Sequence, residues 1–97
     1  MLANKTVLEL LDAFSAPTPT PGGGSAAALA GAVAASLLAM VAAMAKTKHG
    51  TADDQVALDA AHRTIMSLRT ELVDLIDRDA AAYDLVVAAY KLPKATD

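Results

Sequence analysis

A carboxylate, Asp79, interrupts an apolar repeat in the C-terminal half of the chain. Leu58, Ile65, Leu72 and Val86 share one position of a heptad repeat, and Asp79 occupies that position where a further apolar residue is required. A carboxylate in such a seam is costly to bury, so it needs a partner or a polar cavity. Carboxylates in polar cavities serve as general acids and bases, which makes Asp79 the candidate catalytic residue.

Two other features affect the interpretation of Asp79. A bend in the helix near residues 77–79 would instead expose Asp79 to solvent or make it the cap of a second helix. Tyr83 lies one turn later and could donate a hydrogen bond to Asp79, although tyrosine at this spacing is more often a packing residue.

His49 and His62 lie in different segments and form no metal signature, so no metal site is predicted.

The second candidate site is the run Pro21, Gly22, Gly23, Gly24 and Ser25. Consecutive glycines allow backbone to approach another group closely or to adopt positive φ. With Ser25 as the cap of the next helix, free N–H groups of the first turn would favour a carboxylate or phosphate. A simple turn with a serine cap is the favoured alternative on the glycines alone, because the run matches neither the dinucleotide nor the phosphate-loop motif.

Three helical segments must position these groups, at about residues 4–14, 25–47 and 54–92. Three prolines within residues 17–21 separate the first two segments, and a polar turn that contains Gly50 precedes the third. The heptad position that complements the Asp79 series is expected to complete the apolar seam of the third segment. Its members are Ala61, Leu68, Leu75, Ala82 and Ala89.

The middle segment has a stripe of small side chains on one face and larger side chains on another. Such a stripe lets a neighbouring helix approach closely, so we expect this helix at the centre of a bundle, buried all round. The small set is Ala27, Gly31, Ala35, Ala39 and Ala43, and the larger set is Leu29, Val33, Leu37, Met40 and Met44.

Composition indicates one small all-α domain over residues 1–97. Hydrophobic residues make up 55% of the chain and aromatic residues 3%, and about a quarter of all residues are alanine, which favours closely packed helices. A chain this short buries little of its surface, and without cysteine no disulfide can stabilise it, so homo-oligomerisation is expected, as a dimer. The net charge of −3 and the scarcity of aromatic residues argue against binding to nucleic acid.

The alanine-rich segment at residues 26–45 is long enough to span a bilayer. More than half of its residues are alanine, which contributes little to insertion, and no aromatic belt flanks it. A helix covered by other helices is therefore favoured over a membrane span. The N-terminal segment is amphipathic and lacks a signal-peptide pattern, so the expected location is the cytoplasm.

Two segments together resemble one known family. Residues 15–25, which end in Pro-Thr-Pro-Gly-Gly-Gly-Ser, and the alanine-rich helix with Ala39, Met40 and Val41 are similar to the start of the formiminotransferase cyclodeaminase domain, in the cyclodeaminase/cyclohydrolase family. Residues 75–83, with an acidic pair and an aromatic residue, resemble its second signature, as does the closing Leu-Pro-Lys at residues 92–94. The two segments have the order and spacing of that family.

The resemblance implies an all-helical dimer that acts on tetrahydrofolates. The implied reaction is cyclisation of 5-formiminotetrahydrofolate with loss of ammonia, or hydrolysis of the methenyl compound to the formyl one, without a redox cofactor or metal. Asp79 would then be the general acid/base. The residues implied in substrate binding are Pro21, Gly22, Gly23, Gly24, Ser25 and Tyr83, with Lys48, Lys91 or Lys94 paired with the carboxylates of the folate tail.

The chain departs from the family pattern in two respects. Residues 45–50 differ from the Thr, Gly and basic cluster that follow the central helix in many members, and the chain is shorter than family domains. We therefore expect the N-terminal half of a cyclodeaminase-like domain, completed by homo-oligomerisation. The alternative is a non-catalytic helical dimerisation module that retains the family core.

Overall fold

The described part of the chain contains three α-helices, and two of them pack along one another. A computed structural model describes residues 1–44 and 52–93. It contains a short 3₁₀ helix, Leu2–Asn4, followed by α1, Val7–Ser15, α2, Gly23–Met44, and α3, Ala52–Lys91. The all-α prediction is confirmed, and the described ranges contain no strand.

Helix α1 begins and ends where its flanking residues require. The Thr6 hydroxyl accepts from the Glu9 backbone N–H at 3.1 Å, and the Glu9 carboxylate accepts from the Thr6 N–H at 2.7 Å. This hydrogen bond from the Thr6 backbone lowers the pKa of Glu9. Ala16 is extended and ends the helix just before Pro17, so α1 covers 7–15 where the sequence predicted 4–14.

Helix α2 begins earlier than predicted, and Ser25 is not its cap. The helix starts at Gly23, and the Ala26 N–H already donates to the Gly22 carbonyl at 3.1 Å. The side chain of Ser25 faces α3, where its hydroxyl donates to the Ile76 carbonyl at 2.7 Å. The prediction of a serine cap was therefore wrong, because a contact with a distant helix takes the hydroxyl that a cap would use. The predicted end at residue 47 lies outside the described residues.

Small side chains of α2 form its contact with α3. Arg69 donates to Ser36 toward one end of this contact and Ser25 donates to Ile76 toward the other, so the two helices run antiparallel. The buried residues of α2 are Ser25, Ala28, Ala32, Ala35 and Ala39. At Gly31, an added Cβ would lie 3.1 Å from a methyl group of Leu72, which shows how closely the backbones approach.

The predicted stripe of small residues was correct in kind but wrong in spacing. Ala35 and Ala39 are buried and Gly31 is half-buried, whereas Ala27 and Ala43 are exposed. Strict four-residue spacing drifts by about 40° around the helix at each step, because a turn has 3.6 residues. Alternating steps of three and four keep the buried set on one face of α2.

Of the two heptad positions predicted to form the seam of α3, only the Leu58 series packs toward α2. It is one continuous helix through residues 77–79, so Asp79 does not cap a second helix. Leu58, Ile65, Leu72 and Asp79 are half-buried as predicted, whereas Val86 is exposed. The complementary set was wrong, because Ala61, Leu68, Leu75, Ala82 and Ala89 are all exposed. Its place is taken by Gln55, His62, Arg69 and Ile76, on the other side of the Leu58 series.

The single chain is extended and leaves much of α2 uncovered. Its radius of gyration is 19.2 Å, whereas a compact domain of this length has about 13 Å. α2 is the one described helix long and apolar enough to cross a membrane by length and composition, and 22% of its most apolar 18-residue window is buried within the chain. The face of α2 away from α3 exposes Val33, Leu37, Val41 and Met44, so the prediction of burial all round is not met within one chain.

The small side chains of the seam lead to a stability prediction. Ala35→Leu should lower the free energy of unfolding by about 1–3 kcal/mol, because the added atoms must separate α2 from α3. Ala60→Leu makes the same change on the exposed face of α3 and should have little effect. Urea denaturation followed by circular dichroism measures both. Equal stability of the two variants would contradict the close packing described here.

Candidate functional site

Asp79 lies against the first turn of α2. It is half-buried on α3, and its carboxylate is so close to Gly24 that a Cβ at that position would overlap both carboxylate oxygens and the carboxyl carbon. Any other residue at position 24 would have to displace this carboxylate. Gly24 of the glycine run and Asp79, which interrupts the heptad repeat, therefore contact each other directly.

The start of α2 is electrostatically suited to the carboxylate beside it. The first N–H groups of an α-helix have no acceptor within the helix, and the helix dipole places partial positive charge there. Gly23, Gly24 and Ser25 supply these groups in α2. None of the described glycines has positive φ, so close approach and not an unusual turn explains Gly24. The arrangement favours negative charge, from Asp79 or from a bound molecule.

A cleft of about 260 Å³ opens beside this contact. Ligand pockets commonly have about 300–1,000 Å³, so the cleft has room for one ring system or reacting group and not for a long ligand. Across residues 1–44 and 52–93, no hydrogen bond or ion pair holds the Asp79 carboxylate or the Tyr83 hydroxyl, so both can reach a bound molecule. The lining residues are Pro19, Gly22, Gly23, Gly24, Asp79 and Tyr83.

Ser25 supports the cleft without lining it. Its side chain is 0% exposed, and its hydrogen bond to the Ile76 carbonyl joins the first turn of α2 to α3 one turn before Asp79. The serine therefore fixes the distance between the two helices at the point where Gly24 and Asp79 meet. The predicted role of Ser25 in direct contact with substrate does not match this burial.

The connection between α1 and α2 is tied to α3 on the other side of the cleft. The Thr20 hydroxyl donates to the Asp84 carboxylate at 2.6 Å. Thr18 donates to the Thr20 carbonyl at 3.0 Å, and an added Cβ on Gly22 would lie 3.3 Å from the Pro19 carbonyl oxygen. These contacts fold the connection tightly over α3.

Asp77, the other member of the acidic pair, has a structural role. Its carboxylate accepts from the backbone N–H groups of Leu2 and Ala3, at 2.6 and 3.2 Å. It thereby holds the N-terminal 3₁₀ helix against α3. A second cavity, of about 360 Å³, lies between them, and Lys5, Thr20, Pro21 and Asp84 also line it.

The structure brings some of the remaining predicted site residues together and not others. Pro21 lines the second cavity and not the cleft of Asp79. Lys91 is the last residue of α3, twelve residues or about 18 Å along the helix from Asp79, and lines neither cavity. Lys48 and Lys94 lie outside the described residues. In the part of the chain that is described, no group of three or more His, Cys, Asp or Glu side chains could hold a metal ion.

Sequence reasoning missed Pro19, Thr20 and Asp84. The prolines at 17, 19 and 21 indicated an extended connection but not which of its faces would meet α3. Asp84 follows Tyr83 directly and resembles the other acidic residues of a solvated helix face. The available signal was a short polar side chain, Thr20, held between two prolines.

The chain matches one family model over nearly its whole length. The model of the formiminotransferase-cyclodeaminase family matches residues 6–97, a range that includes every residue of the cleft. A methenyltetrahydrofolate cyclohydrolase of Methylorubrum extorquens is 38% identical over 97 residues, which is 100% of this chain and 47% of that protein. The chain thus spans about half the length of this curated relative. No solved structure matches it.

The contact between Gly24 and Asp79 can be measured without a ligand. Gly23→Ala should stabilise the chain by about 0.5–1 kcal/mol, because alanine favours helix and nothing lies within 4 Å of the added methyl. Gly24→Ala should lack this gain, because its methyl must displace the Asp79 carboxylate. In an Asp79→Ala background, Gly24→Ala should recover it, which a double-mutant cycle of urea denaturation measures. Additive effects would show that the two residues do not touch.

Proposed function

The chain belongs to the formiminotransferase-cyclodeaminase family, and we propose that it acts on a one-carbon derivative of tetrahydrofolate. The proposed reaction is hydrolysis of 5,10-methenyltetrahydrofolate to the formyl compound, the activity that the name of the M. extorquens relative states. The related cyclisation of 5-formiminotetrahydrofolate with loss of ammonia is the second candidate, because it gives the matched family its name.

One observation carries the proposal, the Asp79 carboxylate in its cleft. It is held against Gly24 at the start of α2, it has no protein partner among the described residues, and Tyr83 lies beside it. A carboxylate presented in this way can take a proton from a reacting group and return it, which is general acid–base catalysis. The small cleft fits the reacting end of a folate.

Asp79 has a defined task in the hydrolysis. Water attacks the methenyl carbon, and Asp79 accepts one proton of the water as the C–O bond forms. The tetrahedral adduct then breaks its bond to one ring nitrogen, and Asp79 returns a proton to that nitrogen. Of the two protons of the water, one ends on the nitrogen and the other is released to solvent.

The same carboxylate would serve the cyclodeaminase reaction. There the second nitrogen of the folate attacks the formimino carbon and loses its proton, and the departing nitrogen must gain protons to leave as ammonia. Both reactions pass through a tetrahedral carbon and leave its oxidation state unchanged, so a redox cofactor has no part in either. We propose that the reaction proceeds in the cytoplasm and without a metal.

The binding of the folate tail is a separate part of the proposal. The cleft of about 260 Å³ leaves the tail outside, where lysine side chains could pair with its carboxylates. Lys48, Lys91 and Lys94 are proposed for this role. Pairing with Lys91 would require a ligand that extends along α3 away from Asp79.

We propose that the chain works as a homo-oligomer, and specifically as a dimer. The apolar face formed by Val33, Leu37, Val41 and Met44 is exposed in the single chain, and patches of this kind mark surfaces of association. The extended shape points the same way, because one chain alone does not enclose α2. Covering this face with a second copy would give α2 the central position that its composition predicts.

The catalytic proposal predicts a specific loss of turnover. Asp79→Asn should lower the rate of methenyltetrahydrofolate hydrolysis by about 10²–10⁴-fold, because the amide cannot accept the proton. Binding of 5-formyltetrahydrofolate, measured by calorimetric titration, should persist. Asp74→Asn is the matched control, since Asp74 lies on the exposed face of α3 in a 3.4 Å ion pair with Arg78.

The outcomes of that experiment separate the alternatives. Unchanged turnover by Asp79→Asn would remove Asp79 from the mechanism. A parent chain that is folded and oligomeric but binds no reduced folate would favour the non-catalytic dimerisation module. Release of ammonia from formiminotetrahydrofolate without hydrolysis of the methenyl compound would select the second candidate reaction.

The proposed oligomer predicts a shift in mass. Leu37→Glu should raise the dissociation constant of the dimer by at least about tenfold, because burying a leucine contributes about 1.5–3 kcal/mol and a carboxylate cannot replace it. Ala60→Glu places the same charge on the polar face of α3 and should leave association unchanged. Sedimentation equilibrium measures both variants. Equal dissociation constants would place the interface on another surface.

A further inference from the structure

We propose that Thr20 and Asp84 are positioning residues of the Asp79 cleft, through the hydrogen bond that joins them. This inference rests on the proposed function for its kinetic consequence, but its structural part holds for any occupant of the cleft. The Thr20 hydroxyl donates to Asp84 at 2.6 Å, across 64 positions of the sequence.

The hydrogen bond fixes a wall of the cleft that has few other restraints. Pro19 and Gly22 form this wall, one on each side of Thr20 and Pro21. Among the described residues, the Thr20–Asp84 bond is the one side-chain hydrogen bond from the connection between α1 and α2 to α3. The next hydrogen bond to α3 along the chain is that of the Ser25 hydroxyl, which already belongs to α2, to the Ile76 carbonyl. Between these two points lies the backbone that faces Asp79.

The contacts made at Asp84 and at Asp79 lie on different sides of α3. Asp79 and Asp84 are five residues apart, which places them about 140° apart around the helix. The backbone must therefore cross over α3 between Thr20, at the Asp84 side, and Gly24, at the Asp79 side. Gly22 and Gly23 lie on this crossing and line the cleft, so a restraint at Thr20 also restrains the wall that faces Asp79.

The acceptor is well matched to this task. A hydrogen bond to a carboxylate is stronger than one between neutral groups, and this one is short, although it lies at the surface, where Asp84 is exposed. The Thr18 hydroxyl donates to the carbonyl of Thr20, which restrains the same residue from the backbone side. Thr20 is thus held through both its side chain and its backbone, while its neighbour Pro19 reaches the cleft.

The expected consequence of breaking the bond is weaker binding with nearly unchanged chemistry. Asp79 is positioned by α3, Gly24 and Ser25, none of which depends on Thr20. Thr20→Val keeps the shape of the side chain and removes the donor, and it should raise KM for the methenyl substrate by about three- to tenfold. The turnover number should stay within about twofold of the parent chain.

The test combines kinetics with amide hydrogen exchange. Thr20→Ser keeps the hydroxyl and should restore KM, and Asp84→Ala should act as Thr20→Val does, with no further loss in the double variant. Thr70→Val is the matched control, because the Thr70 hydroxyl donates to the Met66 carbonyl within α3, away from the cleft. Exchange at the Ala26 amide, which donates to the Gly22 carbonyl, should be faster in Thr20→Val than in Thr70→Val.

Each outcome decides one of the two proposals. Unchanged KM together with unchanged exchange at the Ala26 amide would overturn the positioning role. If the parent chain neither binds nor converts a reduced folate, the proposed function fails, and exchange alone then decides whether the bond fixes the wall. A rise in KM with an equal fall in the turnover number, without rescue by Thr20→Ser, would indicate general unfolding and would also overturn the positioning role.

Discussion

The close approach of α2 to α3 is the constraint on which the rest of the structure depends. Side chains along this contact are small enough for the backbones to lie near one another, and at Gly24 the side chain is absent altogether. That absence admits the Asp79 carboxylate to the first turn of α2, where free N–H groups and the helix dipole favour negative charge. Gly24 therefore determines both how closely the helices pack and where the Asp79 carboxylate lies. A substitution there alters both.

The sequence predicted the parts of the site that depend on one helix at a time. Heptad spacing placed Asp79 on the seam, and the structure confirms that position. The glycine run indicated close backbone approach, which occurs at Gly24. The three helices were also within reach of sequence reasoning, because three prolines separate the first two segments and a polar turn precedes the third.

The remaining features depend on how two elements pair, and local periodicity does not contain that information. Both sides of the Leu58 series were possible seams, and the more apolar side, with Leu68 and Leu75, is the one left exposed. Serine is a residue type typical of helix caps, but the Ser25 hydroxyl donates to the Ile76 carbonyl instead, because α3 passes beside it. The bond between Thr20 and Asp84 likewise joins residues that are unremarkable in their own segments.

The antiparallel pairing also places the longest chain separations at the end of the helix pair that holds the cleft. The hydrogen bond from Arg69 to Ser36 spans 33 positions of the chain, that from Ser25 to Ile76 spans 51, and that from Leu2 to Asp77 spans 75. Loop closure costs only about 0.6 kcal/mol more for each doubling of loop length, so the longer loop is a small cost beside the burial at that end, where Ser25 is 0% and Ile76 2% exposed. The cleft is therefore held by side-chain burial and by long-range hydrogen bonds, and it does not depend on residues that are near one another along the chain.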